Sequence, residues 1–476
     1  VATDTNREEA AEEMSKMRVI PSTRYQLVSC LAAALTALGS ASLTACGDGP
    51  TEPQEKSGEA DEVRTAGALE TYGQDQNEAF KITDFIYQAR GTGNTNLVIT
   101  PDGNLVVDTG LPTQAERHKE LLQRVDRGPI RYIVLTHAHM DHVGGTNVWR
   151  EPDTEIIAHR ELEGVQRYLT DLVPFFMRRN RVFYPDSVPD LPLWITSYVV
   201  KQIYPNVQPT IIVDDTYSFE LGGMRVEVIH TPGAEGADSI SVWLPDHKIL
   251  LSGDLFGPIF PMFPNLYTLR GEKIRFALPY IASLEQVLAL APEIIIPSHF
   301  EPIIGKERIA RDVTRMRDAV RYVHDATVKG MNDGKDLYTL MREIQLPPEL
   351  QLSTAHGKVS WGVRAIWEGY AGWFHFDSTT ALYPVAPSSV YPEIVELAGG
   401  TDALGGRAAA RIAAGQPVEA LQLVEIALAS DPENQSALQA RLDALQLLLE
   451  QSGGKNHHEV LWLRHRIALT EELLGR

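Results

Sequence analysis

Between residue 80 and about residue 302 the chain alternates two hydrophobic rhythms. Short apolar runs closed by turn residues give way to stretches with apolar positions every three or four residues. Residues 96–99 and 104–107 are apolar runs bounded by Pro101, Gly103 and Gly110, which predicts a strand pair. Residues 113–125 predict a helix, 130–135 a buried strand, 155–158 another strand and 161–171 a helix. Strands are expected again at 224–229, 239–244 and 249–251, then a helix at 283–290 and a strand at 293–296. Such alternation predicts a layered α/β body, although periodicity does not fix the strand order.

From Lys306 onward strand signals nearly vanish. Helices are expected at 308–328 and 337–343. An aromatic-rich stretch follows from Trp361 to Tyr383, and then helices at 401–414, 417–430, 434–451 and 457–474. Leu421, Val424 and Leu428 fall on one helical face, as do Leu438, Leu442 and Leu445. Pro417 opens one of these helices, and Asp431-Pro432 separates two of them. Residues 415–434 resemble one tetratricopeptide hairpin. Repeat folds need about three such units, so this region is read as a helical cap or dimerisation element.

The one long apolar stretch lies near the start, at residues 27–45, behind Lys16, Arg18 and Arg24. A basic segment, an apolar segment and small residues make a secretory signal. Leu43-Thr44-Ala45-Cys46 resembles a bacterial lipobox, with Cys46 as the lipidated residue. The expectation is an exported protein, lipid-anchored in the cell envelope. Residues 1–13 are acidic, the wrong sign for a signal, which points to translation from Met14 or Met17. The domain reading is 1–46 signal peptide with lipobox, 47–75 flexible linker, 76–312 catalytic domain and 313–476 helical domain.

Charge narrows the function. The 476 residues carry 63 Asp plus Glu against 43 Lys plus Arg, a net charge of -20. So acidic a surface argues against nucleic acid as a partner. Two cysteines, Cys30 and Cys46, exclude a disulfide framework or a cysteine-based zinc site.

The chemistry concentrates after the strand expected at 130–135, in Thr136-His137-Ala138-His139-Met140-Asp141-His142. Three imidazoles and a carboxylate fall within six residues at a strand end. His137 and His139 alternate and can face one ion, while the turn offers Asp141 and His142 to a second. These are zinc-type ligands, and Gly144-Gly145 gives the turn backbone freedom.

These residues resemble the metallo-β-lactamase-fold hydrolases. The resemblance implies an αββα sandwich followed here by an all-helical domain. It also implies further ligands from later loops: Asp254 in Leu251-Ser252-Gly253-Asp254 bridging two metals, and His299 in Ile296-Pro297-Ser298-His299. Many members have a histidine after Thr-Pro-Gly. Here the string is Thr231-Pro232-Gly233-Ala234-Glu235, which resembles the alkyl sulfatase branch, where a glutamate serves instead. His230 is read as a packing residue. The implied first site is His137, His139 and Glu235; the second is Asp141, His142 and His299, with Asp254 between. The implied cofactors are two zinc ions, with iron or manganese also suited to the carboxylates. Two close cations make water a nucleophile at neutral pH.

Asn265-Leu266-Tyr267-Thr268-Leu269-Arg270-Gly271 is similar to that branch's sulfate-binding segment, which implies Arg270 as the substrate-binding cation, with Asp141 and Arg270 as the catalytic residues. A guanidinium can hold a tetrahedral oxyanion bidentately. Residues 369–374, 382–384 and 396–400 resemble the branch's dimerisation domain, which implies a homodimer. Two departures stand out. Trp361 occupies the place of a family histidine, with His356 read as a loop residue facing solvent. With the last residue at Arg476, the expectation is a protein lacking the sterol-carrier-like domain usual in long-chain alkyl sulfatases, which puts a preference for a long alkyl chain in doubt. The functional reading is a dimetal hydrolase of a small organic ester, foremost an alkyl sulfate. A phosphoester, lactone or β-lactam substrate stays open, as does, more remotely, a non-catalytic envelope scaffold.

Overall fold

A computed structural model describes residues 67–476, apart from 186, 187, 189, 190, 205 and 234. The expected signal, the lipidation at Cys46 and most of the expected linker lie outside the described residues.

Two sheets form the body. One has the order β1 (Phe80–Lys81), β2 (Ile86–Ala89), β3 (Thr95–Thr100), β4 (Gly103–Val107), β5 (Ile130–Val134), β6 (Glu155–His159) and β7 (Ile211–Val213). The other runs from β13 (Ile303–Ile304) through β12 (Ile294–Pro297), β11 (Ile249–Gly253), β10 (Ile240–Leu244) and β9 (Met224–His230) to β8 (Thr216–Leu221). The β4–β5, β5–β6, β6–β7 and β11–β12 pairs are parallel.

Side-chain alternation explains the layering. Val98, Leu105, Val107 and Val134 meet Val228, Val242, Leu251 and Ile296 between the sheets. Their neighbours Leu97, Val106, Ile133 and Ile156 point the other way, onto Leu121, Leu122 and Trp149. Leu250 and Ile295 likewise turn out toward Leu284, Val313 and Val320. The result is helix, sheet, sheet, helix, as the sequence leads one to expect. Full burial of each large side chain contributes roughly 1.5–3 kcal/mol.

The helix Lys306–Asn332 runs across the expected domain boundary at 312/313. Ile309 and Val313 belong to one apolar cluster with β12, because the helix packs its inner face on the sheet throughout. Farther on, Thr401–Ala413, Pro417–Ser430 and Gln435–Gln451 share small cores of their own, built on Ala408, Ala420, Val424 and Ala440. Pro417 starts its helix. Asn434 caps the next by accepting from Ala437 N–H. No helix among the described residues is long and apolar enough to cross a membrane.

His118 shows how the body responds to acid. It lies in the helix Ala115–Gln123, 2% exposed, with Nδ1 3.0 Å from the Thr95 hydroxyl. Gly110, at φ +74°, lies so close that a Cβ would stand 2.8 Å from that nitrogen. Burial pushes the His118 imidazole down to about 4, and only the Arg90 backbone opposes this. Its ordinary value is about 6.5. Between those values the unfolded chain binds the proton and the folded one does not. The stabilisation from this group is therefore complete above pH 6.5 and is lost as pH falls toward 4. At pH 5 the loss is about 2 kcal/mol. In urea titrations, His118→Gln should show a fall in unfolding free energy between pH 7 and 5 that is smaller than the parent's by about that amount. Equal falls would assign the acid sensitivity to other groups.

Candidate metal centre

The seven expected ligands come together at one end of the two sheets. His137, His139, Asp141 and His142 follow β5. Glu235 sits in the loop after β9, Asp254 directly after β11 and His299 just beyond β12. Gly253, at φ +55°, closes the gap: a Cβ there would stand 2.8 Å from Thr136 Cβ. The β11–β12 register also shifts between Leu251 and Gly253, a bulge that re-aims the strand end. Asp254 is thereby set against the histidine loop.

Distances link the set. Asp254 Oδ2 lies 2.9 Å from His299 Nε2, 3.5 Å from His142 Nε2 and 3.8 Å from His137 Nε2. Asp141 Oδ2 lies 3.3 Å from His142 Nε2 and 3.7 Å from His299 Nε2. His137 Nε2 and His139 Nδ1 are 2.9 Å apart, and His139 Nδ1 is 3.7 Å from Glu235. His142, Asp141 and His299 form one potential cation group; His137, His142 and Asp254 form a second. The third is His139, Glu235 and Glu272. Glu272 is a donor that the sequence does not announce.

A further layer orients the rings. Asp108 is fully buried and takes four hydrogen bonds, from the Thr136 N–H and hydroxyl, the Ser298 hydroxyl and His142 Nδ1–H at 2.8 Å. His299 Nδ1 donates to the Thr92 carbonyl at 2.5 Å. Each ring thus turns a bare Nε2 to the carboxylates, the usual way of fixing a metal-binding tautomer. Asp238 accepts from Ala138 N–H at 2.8 Å, and the Tyr204 hydroxyl donates to the Ala138 carbonyl, pinning the loop between His137 and His139.

Electrostatics match a cation site. Burial opposes ionisation of Asp254, but His299 and His142 outweigh it and hold the carboxyl well below its ordinary range. Burial likewise disfavours charge on His142, yet Asp141, Asp254 and Asp108 draw it well upward. Positive charge is therefore wanted at this spot. The residues fit divalent ions. His142 Nε2 and Asp254 Oδ1 are buried without a hydrogen-bond partner among the described residues, and imidazole with carboxylate is a zinc, iron or manganese donor set.

Arg270 stands beside the cluster with its side chain 15% exposed. Its Nη1 donates to the Tyr184 hydroxyl at 2.7 Å, and its Nη2 stands 3.0 Å from Glu272 and 3.5 Å from Glu235. Burial opposes its charge, and Glu272, Tyr184 and Glu235 more than restore it. Arg275, also missed in the sequence, pairs with Glu235 at 2.7 Å and Glu272 at 2.5 Å. Asn265, in the same segment, is buried with both side-chain polar atoms unpartnered among the described residues.

Other expected residues divide. His230 stacks on His159 at 3.8 Å and reaches the Ala237 carbonyl, a packing role outside the cluster. His356 does not face solvent: it is 5% exposed, because the last helix covers its loop. In the helical segment after β6, Val173, Phe176 and Phe183 are buried, whereas Leu172, Phe175 and Trp194 are exposed.

Residues 89–299 match the metallo-beta-lactamase superfamily model, and residues 338–462 match the alkyl sulfatase dimerisation model. The chain carries a metallo-β-lactamase domain followed by an alkyl sulfatase dimerisation domain. The linear primary-alkylsulfatase of Pseudomonas sp. is 28% identical over 324 residues, which cover 64% of this chain and 61% of that protein. The alkyl/aryl-sulfatase BDS1 of Saccharomyces cerevisiae is 25% identical over 398 residues, covering 78% and 60%. The solved structure of the stereoselective inverting sec-alkylsulfatase Pisa1 from Pseudomonas sp. superposes with a TM-score of 0.71 at 22% identity. That match covers 83% of this chain and 65% of that one, and the two share a fold. The chain thus spans about 60% of the length of the curated sulfatases it matches. The residues matched by the metallo-β-lactamase model include all seven expected ligands and Glu272.

Proposed function

We propose that this protein is a dimetal hydrolase of alkyl sulfate esters. One observation carries the reading: a largely enclosed guanidinium, Arg270, stands beside the imidazole and carboxylate groups that could hold cations. When bound, such ions supply Lewis acidity and a hydroxide from water at neutral pH. His137, His139 and Glu235 would hold one ion and Asp141, His142 and His299 the other, with Asp254 shared; Glu272 lies within reach of the first group. We propose zinc as the resident metal, from the imidazole share of the donors.

The chain's own residues divide the remaining work. Arg275 holds both Glu235 and Glu272, so Arg270 is free to turn its fork to the sulfate oxygens without leaving either carboxylate unpaired. Tyr184 steadies Nη1 while this happens. The exposed Leu172, Phe175 and Trp194 offer apolar contact for an alkyl tail. The purified, metal-loaded chain tested on alkyl sulfates, phosphoesters, lactones and β-lactams decides the reading. Turnover confined to another class, or none with any sulfate, rejects it.

A second reading, hydrolysis of an uncharged ester, is favoured by Glu272, which already occupies Arg270 at 3.0 Å. Preference for a lactone in the same panel would select it.

The assembly proposed is a homodimer. Trp373, Phe376 and Leu397 are 72%, 91% and 88% exposed within the dimerisation domain, more apolar surface than a lone chain usually shows to water. Light scattering at micromolar concentration should give the mass of two chains, and Leu397→Asp should shift it toward one. A monomeric parent chain would count against this. Export and lipid anchoring at Cys46 complete the proposal, supported by residues 27–46. Release of Cys46→Ala from the membrane fraction checks that step.

A further inference from the structure

The last helix, His457–Leu473, begins at Tyr184, the residue whose hydroxyl meets Arg270. Asn456 caps it, accepting from Glu459 N–H, and its amide donates to the Thr354 and His356 carbonyls at 2.9 and 3.2 Å. His457 N–H donates to the Ala355 carbonyl. Lys358 Nζ lies 2.7 and 2.8 Å from the two Glu459 oxygens. These bonds fix the helix start against the 354–358 loop, and they place His458, 0% exposed, with Nε2 3.2 Å from the Tyr184 hydroxyl. The His458 ring also touches Phe183 edge-on at 5.1 Å and lies 5.0 Å from His356.

Donor arithmetic gives this contact a direction. A guanidinium only donates, so the Tyr184 oxygen accepts from Arg270. The hydrogen of the half-buried Tyr184 hydroxyl is left to donate, and His458 Nε2, fully buried, is the acceptor in reach. A bare Nε2 puts the His458 proton on Nδ1, an atom that is buried and has no hydrogen-bond partner among the described residues. Burial, with His356 and Arg270 adding to it, holds His458 well below its ordinary range and so keeps the ring neutral.

We propose that His458 is a positioning residue of the active site: by accepting from Tyr184, it turns that hydroxyl's lone pairs to Arg270 and holds the guanidinium in place. The proposal rests on the reading of Arg270 as the holder of the substrate's anionic group. Two carboxylates, Glu272 and Glu235, draw Arg270 toward the metal ligands. The Tyr184–His458 pair is the neutral counter-hold. A helix of the dimerisation domain is thereby part of the catalytic pocket.

The test uses the full, metal-loaded chain and a double-mutant cycle. His458→Leu should lower kcat/KM for an alkyl sulfate about tenfold, with metal content unchanged. His458→Gln should recover most of this, since its amide oxygen reaches the place of Nε2. In a Tyr184→Phe background, His458→Leu should add less than about twofold. Equal losses in both backgrounds, or no recovery with Gln, overturn the proposal. A readout without turnover separates it from the sulfatase reading. In nitrogen-15 histidine-labelled protein, His458 should show an unprotonated Nε2 whose signal moves in Tyr184→Phe. An Nε2–H form in the parent chain overturns the proposal even if sulfate esters are cleaved. An unprotonated Nε2 that moves supports the contact even if the sulfatase reading fails.

Discussion

Replacing Asp254 with alanine is expected to remove bound metal and ester hydrolysis together. No other carboxylate in the cluster faces three imidazoles: Asp254 Oδ2 is within 2.9–3.8 Å of His299, His142 and His137. It is buried and negatively charged, so its loss leaves neighbouring charge uncompensated. Removing one partner from a buried charged set costs about 3–5 kcal/mol, or roughly 10²- to 10⁴-fold in an equilibrium or rate. Metal analysis should find fewer than two ions per chain in Asp254→Ala, and turnover should fall by at least about 10²-fold. Asp254→Asn tests charge against shape, because it can still pair with His299 but neutralises the site less. Full activity with both ions retained would remove Asp254 from the shared position.

Arg270→Ala should act in the opposite way, on substrate and not on metal. Arg275 remains on Glu235 and Glu272 at 2.7 and 2.5 Å, so neither carboxylate is orphaned when Arg270 is lost. What disappears is a cation that can exchange its contact with Glu272 for an incoming anion, since Arg275 keeps that carboxylate paired. A charged bidentate contact in a desolvated site is worth roughly 2–4 kcal/mol, about 30- to 1000-fold in kcat/KM for a sulfate ester. Arg270→Lys should restore only part, because an ammonium makes no planar fork. A neutral lactone, if cleaved, should lose much less. Equal losses on charged and neutral substrates, or a fall in metal content, would make Arg270 structural.

What the sequence discloses follows from how local each signal is. The histidine loop is legible because four donors fall within six residues after a buried strand, and the helix Pro417–Ser430 is legible from its proline and its apolar face. Glu235, Asp254 and His299 are found only through a family pattern, since nothing in their own segments announces a ligand. Glu272, Arg275 and Asp108 are not found. Each reads as an ordinary charged residue in a loop, and its role exists only after the sheets bring distant strand ends together. The edge strand Thr216–Leu221 escapes notice for a related reason: half its residues face solvent, so it has no continuous apolar run. His356 shows the converse error. Its loop looks solvent-facing until a helix about 100 residues later covers it.

The spread of the ligands along the chain has a consequence for maturation. The first four donors emerge together on the ribosome, but Glu235, Asp254 and His299 follow over the next 157 residues, counting from His142 to His299. Contacts of such sequence separation form late, since the chain must close long loops before they reward it. A cation met by the nascent histidine loop finds only a partial, exchangeable cage. Asp254 and His299 take their places only once β11 and β12 have paired, so a cation held by the complete set would mark completion of the sandwich and would not nucleate it.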